Sequence, residues 1–207
     1  VFYAFDKPAG LAVHPNAEGL PDLVQWIEAQ RSLPRNLKPG HRLDRPTSGV
    51  VLCGAGRKAR AQIADWLGDR AEKHYLALVF GEPEGDRMVF RDPLYDERRR
   101  RTLEAETRMK IREPLGLFTL VELQLVTGRK HQLRRHLAGA QLPVIGDRRY
   151  GPRVPTRVPG HPGRLWLHAW KLVLPDRTIE SPLPEALEVH LHQLREHVAS
   201  TAQGGNP

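Results

Sequence analysis

Apolar positions along the chain fall into two spacings, one helical and one typical of short strands. Leu23, Val24 and Ile27 recur at helical spacing after Pro21, a residue suited to a first turn, and predict a helix from about 21 to 31. Ala59, Ile63, Trp66 and Leu67 share one face of a second, from about 57 to 70. Leu133 and Leu137 lie four apart after the Thr127-Gly128 turn and predict a third, from about 129 to 140. A stripe of Leu187, Leu191, Leu194 and Val198 predicts the last, from about 184 to 198. Between these lie compact apolar runs of strand character: Val1 to Phe5, Val50 to Cys53 and Tyr75 to Phe80, with further strands expected at about 105 to 111, 117 to 126 and 165 to 174. Helices interspersed with more numerous strands make the class α+β, and no long internal repeat is present. One domain is expected over residues 1–199, and the small, polar stretch Ser200 to Pro207 is expected to be a disordered tail.

Composition narrows the setting. A chain of 207 residues with 40% hydrophobic content can build an ordinary interior without staples. Its single cysteine, Cys53, cannot form an internal disulfide, so a cytoplasmic setting is the default, and its place in an apolar run makes it a buried strand residue. No apolar stretch approaches the roughly 20 residues that span a bilayer, and the opening residues do not form an export signal, so no membrane association is expected. The net charge of +8 suits a polyanionic partner bound in a salt-dependent way, although a basic surface also aids solubility. Arg98 to Arg101 form a continuous basic run, and Arg148, Arg149, Arg153, Arg157 and Arg164 dot a Pro/Gly-rich stretch. These two loops could grip a nucleic-acid backbone or be solvated surface. The ten histidines are scattered, with no paired metal-ligand spacing, and no phosphate-binding glycine loop occurs. Neither a metal nor a nucleotide cofactor is expected.

The chemistry concentrates in His41-Arg42-Leu43-Asp44-Arg45-Pro46-Thr47-Ser48-Gly49, where a carboxylate sits between two arginines before an apolar run. Fixed positive charge favours the ionised aspartate, available as nucleophile or electrostatic partner. On local composition alone, a solvated turn leading into a strand is the favoured reading. The order of the whole string changes that. It resembles the active-site motif of the RluA-type pseudouridine synthases, and the resemblance recurs along the chain. Asp6-Lys7-Pro8-Ala9-Gly10 is similar to the family's opening segment, Lys73-His74-Tyr75-Leu76-Ala77 to its tyrosine motif, and Thr127 to His136 to its third motif. Gly146-Asp147-Arg148-Arg149-Tyr150-Gly151 is similar to the turn after that motif, and Leu165 to Ala169 and Ser181 to Pro184 to the closing strand and the approach to the last helix. Ordered matches of this kind cover nearly the whole chain, in the family's short form lacking an N-terminal RNA-binding module. Whether such a module precedes Val1 is left open. The region from Asp92 to Thr102 is richer in arginine than the pattern requires.

The resemblance implies the pseudouridine synthase fold, a central, mostly antiparallel mixed sheet with helices and loops around an RNA-binding cleft. It implies isomerisation of a specific uridine in structured rRNA or tRNA, with faint likeness to the branch that modifies a transfer-RNA uridine, by a monomer. Asp44 is expected to initiate, Tyr75 to stack on uracil ahead of a role as general base near the departing C5 proton, and Arg134 to come across the cleft and pair with Asp44. Without the motif, Arg134 would read as a surface helix arginine and Tyr75 as a packing residue. Arg42 is expected to fill the stack vacated by a flipped base. Leu133 is a candidate contact to that base, with a strong rival reading as a core leucine. His41 is grouped with the substrate-binding residues, and both His41 and His131 read as orienting their loops by hydrogen bonds. Two rival functions are a non-catalytic RNA-binding protein on the same scaffold and a base-excising glycosidase; the usual sugar hydrolases use two carboxyl groups, and this motif supplies one.

Overall fold

A computed structural model describes residues 1–15, 17, 19–151 and 158–203. In chain order the elements are β1 (Phe2–Lys7), α1 (Leu23–Ala29), β2 (Leu37–Pro39), β3 (Ser48–Ala55), α2 (Gly56–Asp65), β4 (Glu72–Phe80), β5 (Arg87–Phe90), β6 (Leu94–Asp96) and β7 (Arg101–Leu103). They continue with β8 (Thr107–Leu115), β9 (Phe118–Leu125), α3 (Gln132–Gly139), β10 (Leu167–Val173), β11 (Thr178–Glu180) and α4 (Glu185–Gln203). The chain divides into two compact units, Val1–His74 with His168–Pro182, and Tyr75–Leu167 with Leu183–Pro207. Among the described residues no helix is long and apolar enough to cross a membrane.

In the first unit β3 is the spine. Every residue from Ser48 to Gly54 is buried, because β1 pairs along one edge while β2 and β10 pair along the other. The β3–β10 ladder is parallel, aligning His168 with Ser48 and Ala169 with Gly49, whereas the β1, β2 and β11 ladders are antiparallel. Gly49 holds φ at +120°, and a Cβ there would lie 2.2 Å from the Ala169 carbonyl oxygen, so only glycine permits this approach. Val50, Leu52, Leu172 and Leu174 pack with Ile63 of α2 into a core flanked by Trp66, Leu67 and Ile179. Burial of one such aliphatic side chain stabilises the unit by about 1.5–3 kcal/mol.

The helix expected from Pro21 starts two residues later. Asp22 caps it, its carboxylate accepting from the Gln25 N–H at 3.0 Å. The second expected helix ends its α-helical hydrogen bonding at Asp65 and closes in a wider π-type turn over Trp66–Arg70, where Lys73 Nζ donates to the Leu67 carbonyl at 3.0 Å.

The second unit orders its strands β4-β9-β8-β5. Burial alternates along β8, and the β8–β9 ladder shifts register between Ile111 and Glu113, where an additional residue enters one strand. β6 and β7 form a separate antiparallel hairpin. That hairpin places the Arg98–Arg101 run in its turn and at the start of β7, with Arg100 at φ 53°. Of the second basic loop, Arg153 and Arg157 lie outside the described residues. Ser200 to Gln203, expected in a tail, instead continue α4; residues 204–207 lie outside the described residues. The α+β class and the mixed, mostly antiparallel pairing are as expected.

Candidate active site

Asp44 sits on the turn between β2 and β3, and this turn is braced from three directions. Its own backbone closes it, the Thr47 N–H donating to the Asp44 carbonyl at 3.0 Å. The Gly10 N–H donates to the Arg45 carbonyl at 2.8 Å. Lys7, only 1% exposed, spreads its ammonium over the carbonyls of Pro8 (2.8 Å), Leu11 (2.8 Å) and Arg45 (3.3 Å). Such charge-assisted bonds are stronger than neutral ones, so the opening motif acts as a clamp on the Asp44 turn. Leu43 and Thr47 point inward on either side of half-buried Asp44, while Arg42 and Arg45 are exposed.

His41 fixes the entry to the turn. Its Nε2 accepts from the Leu52 N–H at 2.9 Å. Burial, reinforced by the nearby Lys73 charge and only partly offset by a backbone hydrogen bond at Arg42, lowers its pKa to about 4. The ring is therefore neutral at physiological pH and committed to its own strand. At the exit, the Ser48 hydroxyl meets His168 Nδ1 at 2.9 Å. His168 Nε2 donates to the Ser181 carbonyl at 3.1 Å, and the Ser181 hydroxyl donates to Asp6 at 2.6 Å. This polar chain, buried from Ser48 to Ser181 and reaching the surface at Asp6, links β1, β3, β10 and the segment after β11. A carboxylate placed on such a turn keeps its aim, and aim matters because small misplacements cost rate steeply.

The other candidates lie in the second unit. Tyr75 is a buried residue of β4. Leu133 and Arg134 occupy the first turn of α3 and are both buried. That helix starts later than its hydrophobic spacing suggested, because Thr127 to Lys130 form a turn that Gln132 ties down. The Gln132 amide oxygen accepts from the Thr127 hydroxyl (2.7 Å) and the Arg129 N–H (3.0 Å), while its NH2 donates to the Glu106 carbonyl (2.9 Å) and the Thr107 hydroxyl (3.0 Å). His131 takes a left-handed conformation at φ 54°, and its Nδ1 lies 3.0 Å from the Tyr150 hydroxyl. His136, one turn further on, bonds the Thr107 hydroxyl and the Asp92 carbonyl.

Arg134 makes a bidentate pair with Asp147, Nε to Oδ2 and Nη2 to Oδ1, each at 2.7 Å. The two side chains are 7% and 1% exposed. The Asp147 carboxylate also accepts from the N–H groups of Arg149 (2.9 Å) and Tyr150 (3.0 Å). Burial pushes its carboxyl up, but the hydrogen bonds from Arg134, Tyr150 and Arg149 outweigh that and leave it below the usual carboxylate range. The Tyr150 ring lies 5.1 Å from the Arg134 guanidinium carbon. Asp147 follows Gly146, whose φ of +76° and 2.1 Å approach of a would-be Cβ to the Arg164 carbonyl set the turn. The Gly146-Asp147 motif marked this turn in the sequence, but the pairing to Arg134 was not readable from it.

The chain is similar to known proteins over most of its length. A family model described as RNA pseudouridylate synthase matches residues 1–139. A protein of Chloroflexus aurantiacus, named as an uncharacterized RNA pseudouridine synthase, is 36% identical over 94% of this chain and 67% of its own length. The ribosomal large subunit pseudouridine synthase C of Escherichia coli K12 is 35% identical over 92% of this chain and 66% of its own. The chain thus spans about two thirds of the length of these curated relatives. Among solved structures, human RNA pseudouridylate synthase domain containing 4 superimposes with a TM-score of 0.77 at 27% identity, covering 94% of this chain and 90% of that one.

Proposed function

This chain belongs to the RNA pseudouridylate synthase family, and from that premise we propose that it isomerises uridine to pseudouridine in large-subunit ribosomal RNA. What carries the proposal is the 35% identity, over 92% of the chain, to a synthase named for the ribosomal large subunit. A second relative named for that subunit, synthase D of Nitrosomonas europaea, is also 35% identical over 92% of the chain. The transfer-RNA leaning taken from the motifs has no counterpart in these names, so ribosomal RNA is the first substrate to test.

The reaction breaks the bond from ribose C1′ to uracil N1, turns the retained base, and joins C5 to C1′. The hydrogen on C5 leaves and N1 gains one, so atoms balance without oxidant, reductant or hydrolysis. In this proposal Asp44 initiates, by attack at C1′, by addition to uracil C6, or by removal of the C2′ proton; each route uses an ionised carboxylate held still. The braced turn around Asp44 supports that role. Arg134 supplies the guanidinium that balances the Asp44 charge, and its bidentate grip by Asp147 supports a fixed orientation. Tyr75 offers a ring for stacking, Leu133 an apolar contact, and exposed Arg42 a flat cation for the space a flipped base leaves. His41 serves the site by holding its loop. Monomeric, cytoplasmic action on structured RNA completes the proposal.

The test incubates the protein and its Asp44→Asn variant with large-subunit ribosomal RNA carrying tritium at uridine C5, with transfer RNA as a second substrate. The parent releases tritium from labelled RNA and leaves the mass of unlabelled RNA unchanged; the variant binds the RNA but releases none. Turnover by Asp44→Asn at the parental rate rejects the assignment of Asp44. Tritium release from neither RNA by the parent favours the non-catalytic RNA-binding reading, and free uracil in the products favours the glycosidase.

A further inference from the structure

The arginine-rich region that departs from the family pattern builds a cavity of its own. About 330 Å³ of space opens between the β6–β7 hairpin, the turn before α3 and the turn after Asp147, at the lower end of the size range for small-ligand sites. Buried Leu94 lies within the lining. Tyr150 forms one wall, and the same ring carries the Arg134 guanidinium on the buried side. Tyr95 stands at the rim, 52% exposed although it is large and aromatic.

Charge distinguishes this cavity from a self-neutralising ion-pair network. Arg98, Arg129, Lys130, Arg135 and Arg149 line it, against the carboxylates of Asp96 and Glu97. Both carboxylates are already engaged: Asp96 accepts from the Arg99 N–H at 2.9 Å, and Glu97 from Lys130 at 3.1 Å. Arg129 and Arg135 are anchored differently. Arg129 Nε donates to the Glu104 carbonyl at 2.9 Å and Arg135 Nη1 to the Tyr95 carbonyl at 3.2 Å. Neutral carbonyls hold these guanidiniums in orientation; Asp96 offsets part of the Arg129 charge and Glu97 part of the Arg135 charge, but five cations in the lining face only these two carboxylates. Oriented cations in excess over the carboxylates, beside an exposed aromatic ring, suit one ligand chemistry well, a phosphodiester with a planar base attached.

We propose that this cavity binds one nucleotide of the RNA strand flanking the target, its phosphodiester on Arg129 and Arg135 with Arg98 at the mouth, and its base against Tyr95. The inference rests on the RNA-modifying reading above and adds a subsite to it. Because the cavity shares Tyr150 with Arg134, a nucleotide seated there bears on the ring that packs the proposed catalytic arginine.

The test uses the full chain and two probes, uridine 3′,5′-bisphosphate and a short fluorescent oligouridine. The bisphosphate shifts the backbone amide resonances of residues 95–98 and 129–135, while uridine alone does so weakly. Tyr95→Ala weakens oligouridine binding about tenfold through lost stacking. Arg135→Gln lowers the slope of log affinity against log salt by about 0.7, the value for one single-strand phosphate contact. Because Arg135→Gln also removes a bond to the hairpin, Arg98→Gln, at an exposed position, provides the parallel measurement and weakens binding in the same sense. Parental affinity in both Tyr95→Ala and Arg98→Gln overturns the proposal, as does displacement of the bisphosphate by a polyglutamate peptide of equal charge at equal concentration. Asp44→Asn separates the two readings: it keeps bisphosphate binding and loses isomerisation. A parent that isomerises RNA while the cavity variants bind normally removes the subsite alone; a parent that binds the bisphosphate but isomerises nothing removes the proposed reaction.

Discussion

Asp147→Asn is the substitution whose cost can be worked out most directly. The side chain changes by one atom in shape, but the asparagine offers a single acceptor where two parallel bonds to Arg134 existed, and it turns N–H donors toward a group that only donates. Both partners are nearly sealed from water, at 7% and 1% exposure. Removing one member of a buried ion pair costs about 3–5 kcal/mol. For a chain of this length, each kcal/mol moves the melting temperature by about 2–4 °C, so a fall of roughly 6–20 °C is expected. Thermal and denaturant unfolding followed by circular dichroism measure it, alongside a cycle of Asp147→Leu, Arg134→Met and the double variant Asp147→Leu/Arg134→Met. The double variant recovers part of the loss, since both members of the buried pair are then replaced by apolar groups. The pH dependence carries the same signature. Asp147 has a lowered folded-state pKa, so its contribution is complete above the unfolded carboxyl value and disappears as pH falls through the folded one. Asp147→Asn should flatten the acid side of the stability curve accordingly. A loss under about 1 kcal/mol, or single-variant costs that simply add in the double, would refute the reasoning.

His41 gives a second pH prediction. With its pKa moved from 6.5 to about 4, the unfolded chain takes up the proton first, so stability declines as pH falls through that interval; His41→Gln should remove this part of the slope in a urea titration series, and an unchanged slope would show the ring does not titrate there. Gly49→Ala forces a Cβ to 2.2 Å from the Ala169 carbonyl and should yield insoluble or largely unfolded protein, read by expression and near-ultraviolet circular dichroism. A native spectrum would mean the β3–β10 ladder tolerates separation.

Sequence periodicity located all four α-helices among the described residues, because each buries leucine or isoleucine at helical spacing. It erred where hydrogen bonds rather than apolar spacing set the boundary: the Asp22 cap delays α1, the Gln132 network delays α3, and α4 runs on through Ser200 to Gln203. The β6–β7 hairpin escaped notice because its strands are three residues long and its turn is charged, which reads as loop. The motifs placed Asp44 on a turn leading into a strand and Tyr75 on a strand, where both lie. The contacts that brace the Asp44 turn and fix Arg134 were not legible. Lys7 stood out as part of the opening motif, but its burial beneath three carbonyls depends on partners up to 38 residues away. Arg134 carried a motif but no hint of Asp147, because the match of guanidinium to carboxylate exists only after α3 and the Gly146 turn are folded together.

The order in which the first unit is synthesised adds a vulnerability. Ser48 leaves the ribosome 120 residues ahead of His168, and Asp6 precedes Ser181 by 175. At about 5–20 residues per second, the end of β3 that continues from the Asp44 turn waits roughly 6 to 24 seconds for its parallel neighbour. Through that interval the nascent protein carries an apolar, half-paired strand of the sort that invites stray pairing, so its yield in cells should depend on translation speed and on chaperones that shield the emerging chain.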